Sequence, residues 1–161
     1  MTLRSICLLC TLVTLFARTA ADAAANYIRF ESPNGALVAY IKVGGRVEDA
    51  SFRAMGYVRD GGRVEDAGFR TLGFVSEDGA VKDATYSTVG YFRPGGRVED
   101  SSYRTVGYAR EGVIQDVHLT TVGFYDVGSF EGDVDAALAA YVFFFSRVLF
   151  VQPNWETFYK P

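Results

Sequence analysis

The sequence predicts an all-β fold, a closed and shallow barrel of hairpins with quasi-fivefold repetition. Three observations predict it. A 17-residue pattern recurs five times, from Ala39 to Val122. Each copy places a glycine-rich turn between two short runs of Val, Thr, Tyr and Phe, the composition of a β-hairpin. And no segment between residue 23 and Asp133 carries an apolar period of 3.6 residues.

The repeats open at Ala39, Gly56, Gly73, Gly90 and Gly107, and Gly123 starts a closing strand. Their bounds are 39–55, 56–72, 73–89, 90–106 and 107–122. The last is one residue shorter, in the turn before Ile114. An aromatic follows each opening position (Tyr40, Tyr57, Phe74, Tyr91, Tyr108, Phe124). Val47, Val64, Val81, Val98 and Ile114 follow the turns, and an acid stands two residues further on: Asp49, Asp66, Asp83, Asp100, Asp116. Phe52, Phe69, Tyr86, Tyr103 and Leu119 form a second bulky column. Met55, Leu72, Val89, Val106 and Val122 close the units.

Asp60-Gly61-Gly62, Asp78-Gly79 and Pro94-Gly95-Gly96 are turns, because glycine accepts positive φ at little steric cost. A lone hairpin is marginal in water, so the units share one core. Few prolines protect the strand edges, and closing the ring removes the edges. The opening glycine falls in mid-strand, where glycine marks a bend or a close backbone approach.

Residues 1–23 read as a secretory signal. Arg4 supplies the positive start, and Ile6 to Phe16 a short apolar stretch. Ala21-Asp22-Ala23 or Thr19-Ala20-Ala21 would be the cleavage site. Both cysteines, Cys7 and Cys10, lie within it, so the exported chain would have no disulfide. Leu9 before Cys10 argues against a lipoprotein site. The expected location is the periplasm, the cell envelope or the medium. Residues 24–135 form the repeat domain and 136–161 a hydrophobic segment. There Ala136 to Ala140 favours helix and Tyr141 to Val151 favours strand. Arg147 interrupts it after about ten apolar residues, where a membrane helix wants about 20. The segment is expected to plug or cap the barrel as a helix or strand.

Glu99-Asp100-Ser101-Ser102-Tyr103-Arg104-Thr105-Val106-Gly107-Tyr108 resembles the repeat of the bacterial five-fold β-flower proteins, whose units look like "dGtv-D-ssYrt-vGy". The likeness covers about residues 36 to 126, with a Phe-rich tail like Val142-Phe143-Phe144-Phe145. It implies a shallow, symmetric barrel with an apolar channel, similar to Tubby-type and scramblase-type barrels that enclose a hydrophobic helix. It carries over no functional residue. The arginine-bearing turns (Arg46, Arg63, Arg97) depart from the pattern.

The chemistry of catalysis is missing from the pattern. Gly-Gly-Arg-Val-Glu-Asp recurs from Gly44, Gly61 and Gly95, but lacks the period of calcium-binding glycine repeats. Each Asp is expected to accept backbone N–H bonds at a turn or strand end. His118 falls in a variable column without a catalytic partner. Trp155 anchors the C-terminus or an interface. A net charge of −3 gives no support to a nucleic-acid partner. No cofactor or metal is expected.

Two candidate sites follow. Arg53, Arg70 and Arg104 form a partial basic ring for an anion or a lipid headgroup, with pairing to Glu48, Glu65 and Glu99 as the favoured alternative. Tyr141, Phe143, Phe144 and Phe145 are a membrane or channel segment. The function expected is a non-enzymatic exported binding or structural module, taking a lipid or another apolar ligand or meeting a membrane. The alternatives are a homo-oligomeric envelope component and, third, an enzyme with an unfamiliar site.

Overall fold

The computed structural model describes residues 26–146, so the signal segment, both cysteines and Trp155 lie outside the described residues. Twelve antiparallel strands close into a barrel. In chain order they are β1 (Tyr27–Glu31), β2 (Leu37–Lys42), β3 (Arg46–Asp49), β4 (Ala54–Val58), β5 (Arg63–Asp66) and β6 (Thr71–Val75). Then come β7 (Ala80–Asp83), β8 (Thr88–Arg93), β9 (Arg97–Asp100), β10 (Thr105–Arg110), β11 (Val113–Asp116) and β12 (Thr121–Asp126). Each strand pairs with its sequence neighbours, and β12 pairs with β1 to close the ring. The five repeats make five hairpins, β2–β3 to β10–β11. The sixth pair is assembled from the two ends of the barrel chain, β12 and β1. The repeat pattern did not mark β1, because its partner column starts at Ala39.

Two kinds of turn alternate around the ring. On one rim lie the glycine turns. Gly44 and Gly45 have φ of 83° and 76°, and Gly61 and Gly62 of 77° and 80°. The second glycine is also pressed against the next unit. A β-carbon on Gly62 would lie 1.8 Å from the Val75 carbonyl oxygen, and Val75 N–H donates to Gly62 O at 2.8 Å. The shortened last unit uses a two-residue turn, Glu111-Gly112, with both φ positive. On the opposite rim lie the aspartate loops, such as Asp49 to Arg53.

A register shift occurs once per unit, as between Val47/Glu48 of β3 and their partners Gly56 and Ala54 of β4. The extra residue is Met55, and Leu72, Val89, Val106 and Val122 take the same place. These are the aliphatics that close each unit. A bulge bends its strand and increases twist, so one bulge per unit supplies the curvature that a narrow ring needs.

Val47, Val64, Val81, Val98 and Ile114 point inward, with Ile28, Phe30 and Ile41 beside them. The chain then fills its own barrel. Helix α1 (Val134–Ala140) starts at the glycine rim. Asp133 caps it, its Oδ1 accepting Ala136 N–H at 2.9 Å. Alanines 137, 139 and 140 are buried, so the helix fits where bulkier residues would not. A π-helical turn, Tyr141–Phe145, continues it, with Ser146 N–H donating to Tyr141 O at 2.7 Å. The Phe-rich end expected to favour strand is therefore helical. Inside a closed barrel every neighbouring backbone group is already paired, and a helix alone satisfies its own N–H and C=O groups.

The opening glycines receive the plug. A β-carbon on Gly56 would lie 2.7 Å from Phe145 Cε1, one on Gly73 2.6 Å from Phe144 Cζ, and one on Gly90 2.6 Å from Phe143 Cε1. Consecutive rings thus enter consecutive repeats. Six strand pairs stand about 60° apart, whereas an α-helix turns about 100° per residue. The wider i→i+5 winding turns less per residue, which brings neighbouring side chains closer to one per hairpin.

Candidate functional site

Tyr141, Phe143, Phe144 and Phe145 all lie within the barrel. Tyr141 stacks on Phe30 with ring centroids 3.6 Å apart, and burial pushes its phenol up to about 12. The channel implied by the family resemblance is occupied by the chain's own aromatic rings. Among the described residues, no helix is long and apolar enough to cross a membrane.

Clefts remain where α1 meets the glycine rim. One of about 340 Å³ lies between the turns at Gly44-Gly45 and Gly61-Gly62 and the stretch Phe130 to Ala137. Another, of about 700 Å³, lies between Gly95-Gly96, Glu111-Gly112 and Leu138. Glu77, Glu131, Asp133 and Asp135 give this rim an acidic character. Among the described residues, no three carboxylate, histidine or cysteine side chains converge to hold a metal ion.

The outer wall carries a repeated constellation. The aspartate loop ends in a bulky residue with left-handed backbone: Phe52, Phe69, Tyr86, Tyr103 and Leu119 have φ between 61° and 65°. This is the position of a three-residue hairpin loop that glycine usually takes. The geometry is locked by the preceding acid. Asp66 Oδ1 accepts the N–H groups of Gly68 at 2.8 Å and Arg70 at 3.0 Å, while Phe69 N–H donates to Asp66 O at 3.0 Å. Asp49, Asp83, Asp100 and Asp116 accept the corresponding bonds.

The carboxyls respond. Asp49 and Asp100 are held below the usual carboxylate range, foremost by the backbone N–H of Arg53 and of Arg104. Asp83 is lowered foremost by the Thr85 hydroxyl. Partial burial pushes Asp66 up, but its bonds from Arg70 and Gly68 outweigh this and leave it lowered.

From that loop each ring reaches back across one strand to stack on the aromatic of the strand beyond. Tyr40–Phe52, Tyr57–Phe69, Phe74–Tyr86 and Tyr91–Tyr103 are near-parallel, with centroids 4.7 to 5.7 Å apart. The second ring of each pair stays open to solvent, 60 % for Phe69 and 66 % for Tyr86. Tyr91 Oη donates to Tyr103 Oη at 2.9 Å, which raises the Tyr91 phenol. Beside three of the stacks lies a buried acid. Glu65 is 4 % exposed, and Arg59 Nε reaches its Oε2 at 2.7 Å and Arg63 its Oε1 at 2.9 Å. Glu99 holds Arg93 and Arg97 in the same way, and Glu48 holds Lys42 and Arg46. The Arg59 guanidinium also lies 4.4 Å from the Tyr57 ring centre, and Arg93 4.2 Å from that of Tyr91.

This arrangement corrects the expected partners of the arginine column. Arg53, Arg70 and Arg104 are exposed, and they pair with Asp49, Asp66 and Asp100 of their own loops at 2.7 to 2.9 Å, not with Glu48, Glu65 and Glu99. The loop is too tight for the arginine to reach past its own aspartate. The glutamates are claimed by cations on the adjacent strand positions. His118 is exposed, its N–H donating to Asp116 Oδ1 at 2.8 Å. Sequence reasoning found both aromatic columns but not their stacking. The signal was present: Tyr40 to Phe52, Tyr57 to Phe69, Phe74 to Tyr86 and Tyr91 to Tyr103 all keep a spacing of 12.

No curated protein and no solved structure matches the chain. A protein-family model described as 5-fold beta-flower protein matches residues 27–146, from the first strand to the end of the plug. With all twelve strands and the plugging helix inside that match, the chain belongs to the 5-fold β-flower family.

Proposed function

We propose that this chain is a non-enzymatic binding module that works outside the cytoplasm and engages its ligand on the outer wall of the barrel, not in the channel. The observation that carries this reading is the seating of Phe143, Phe144 and Phe145 against Gly90, Gly73 and Gly56. The channel's apolar volume is spent on the chain itself. The groups able to recognise a partner, open aromatic rings beside cations, stand outside and recur from unit to unit. The carboxylates of the aspartate loops are turn acceptors with lowered pKa, a state suited to holding backbone and not to moving protons. The export signal read at residues 1–23 supports the location.

Organic extraction and native mass spectrometry of the purified full chain test the reading. The expected result is a ligand-free mass with no stoichiometric lipid. A lipid recovered at one per chain would return the binding site to the channel.

A further inference from the structure

Each wall constellation in units one, two and four carries three cations against two acids. In the second unit Arg59, Arg63 and Arg70 face Glu65 and Asp66. The first and fourth repeat this with Lys42, Arg46 and Arg53, and with Arg93, Arg97 and Arg104. The surplus is local to these three ion-pair clusters, in a chain whose net charge is −3. Arg70 is the most open of these groups, 85 % exposed, and it directly follows the open ring of Phe69.

The ring is kept there against a conformational cost. Bulky residues avoid positive φ, and glycine would take this loop position without strain. Covering the buried acid does not account for the ring. In the third unit Lys82 replaces the glutamate, yet Tyr86 keeps φ 65° and still stacks on Phe74 at 4.7 Å. The left-handed backbone recurs in all five loops, and in four of them it holds an exposed ring, with Leu119 in the fifth.

We propose that the outer wall binds an anionic polysaccharide, the open rings stacking on the apolar faces of pyranoses while, in units one, two and four, the cations beside the ring take a carboxylate or sulfate. A sugar ring presents C–H bonds to an aromatic face. A guanidinium beside that face supplies forked N–H donors to an anionic substituent. The stacks sit on successive hairpins around a closed ring, so they point outward in different directions. A flat bilayer would meet only one or two of them. A flexible polymer can follow the curve and engage several, which multiplies weak single contacts. The charged groups of the wall also exclude burial of this surface in lipid.

This inference rests on the outer-wall reading above. Affinity electrophoresis and calorimetry of the full chain with polygalacturonate, alginate and chondroitin sulfate test it, against a neutral β-glucan, anionic phosphatidylglycerol vesicles and a single-stranded oligonucleotide. Binding to at least one anionic glycan is expected, with binding to the neutral glucan weaker by about tenfold or more. The paired change Phe69→Gly and Tyr103→Gly should weaken it by about tenfold or more with the circular dichroism spectrum kept, because glycine suits the vacated backbone. Arg70→Gln with Arg104→Gln, which leaves both rings and the backbone bonds to Asp66 and Asp100 in place, should do the same if the glycine pair loses its fold. No binding to any of the three anionic glycans, equal binding to the neutral one, or binding indifferent to both variant pairs overturns the proposal. Vesicle or oligonucleotide binding that is lost in the variants overturns the glycan while leaving the outer wall as the site. Only a co-purified channel lipid would remove the outer-wall reading itself.

Discussion

Gly73 shows how tightly single residues are specified. A β-carbon there would collide with the Phe144 ring and lie 2.1 Å from the carbonyl oxygen of Lys82. Gly73→Ala should cost about 3 kcal/mol, the upper range for overpacking, measured by denaturant unfolding. Gly123 makes a useful contrast. Its nearest neighbour would be Glu31 O at 2.9 Å and no plug ring is close, so Gly123→Ala should cost less. The aspartates are specified by hydrogen bonding. Asp49, Asp66, Asp83 and Asp100 have lowered pKa when folded, so the folded state binds fewer protons than the unfolded one. The stability they add is in place above the unfolded value of about 3.8 and is lost as pH falls through the folded values. Acid unfolding followed by circular dichroism should show this loss, and Asp→Asn at all four positions should flatten the dependence below about pH 4. A variant that unfolds along the wild-type acid curve would refute the assignment.

At the scale of elements, the plug is the informative part. Phe144→Ala removes a partly buried ring seated against Gly73 and should cost less than the roughly 3–5 kcal/mol of a fully buried phenylalanine, read as a lower denaturant midpoint. The combination with Gly73→Ala should be less costly than the sum, because the new methyl enters the space the ring left. Tyr141 provides a pH signature from the same element. Burial raises its pKa to about 12, so the folded state holds the phenolic proton longer than the unfolded chain does. Its contribution is complete below about pH 10 and is lost as pH rises toward 12. Tyr141→Phe should therefore reduce the alkaline loss of stability in a thermal melt series. The repeated hairpins, their glycine turns and the recurrence of the valine column were legible, because a 17-residue period displays turn chemistry in every copy. The state of Tyr141 to Phe145 was not. Aromatic residues favour strand locally, and only enclosure by a barrel with no free backbone partner makes helix the satisfied form.

For the molecule as a whole, closure is the property on which stability depends. Six strand pairs need both chain ends, and β1 alone joins β12 to β2. Removing residues 26–31 should expose two strand edges and give a chain that self-associates, visible as a concentration-dependent mass in light scattering. A monodisperse, fully folded monomer would show that closure is dispensable.

The sequence by itself determined the number of repeats, the glycine turns, the recurring column of Val47, Val64, Val81, Val98 and Ile114, and the family resemblance, because each is a local pattern repeated along the chain. The tertiary structure alone decided three things. It recruited β1 as the twelfth strand, a pairing of Arg29 with Asp126 across the whole repeat region. It seated the phenylalanines on the mid-strand glycines. And it folded Phe52, Phe69, Tyr86 and Tyr103 back onto the previous aromatic column while giving their neighbouring arginines to the loop aspartates. The physical reason is common to all three. Periodicity in one chain states which residues are equivalent, but partners across strands are chosen by the bend and closure of the ring, which no single repeat contains.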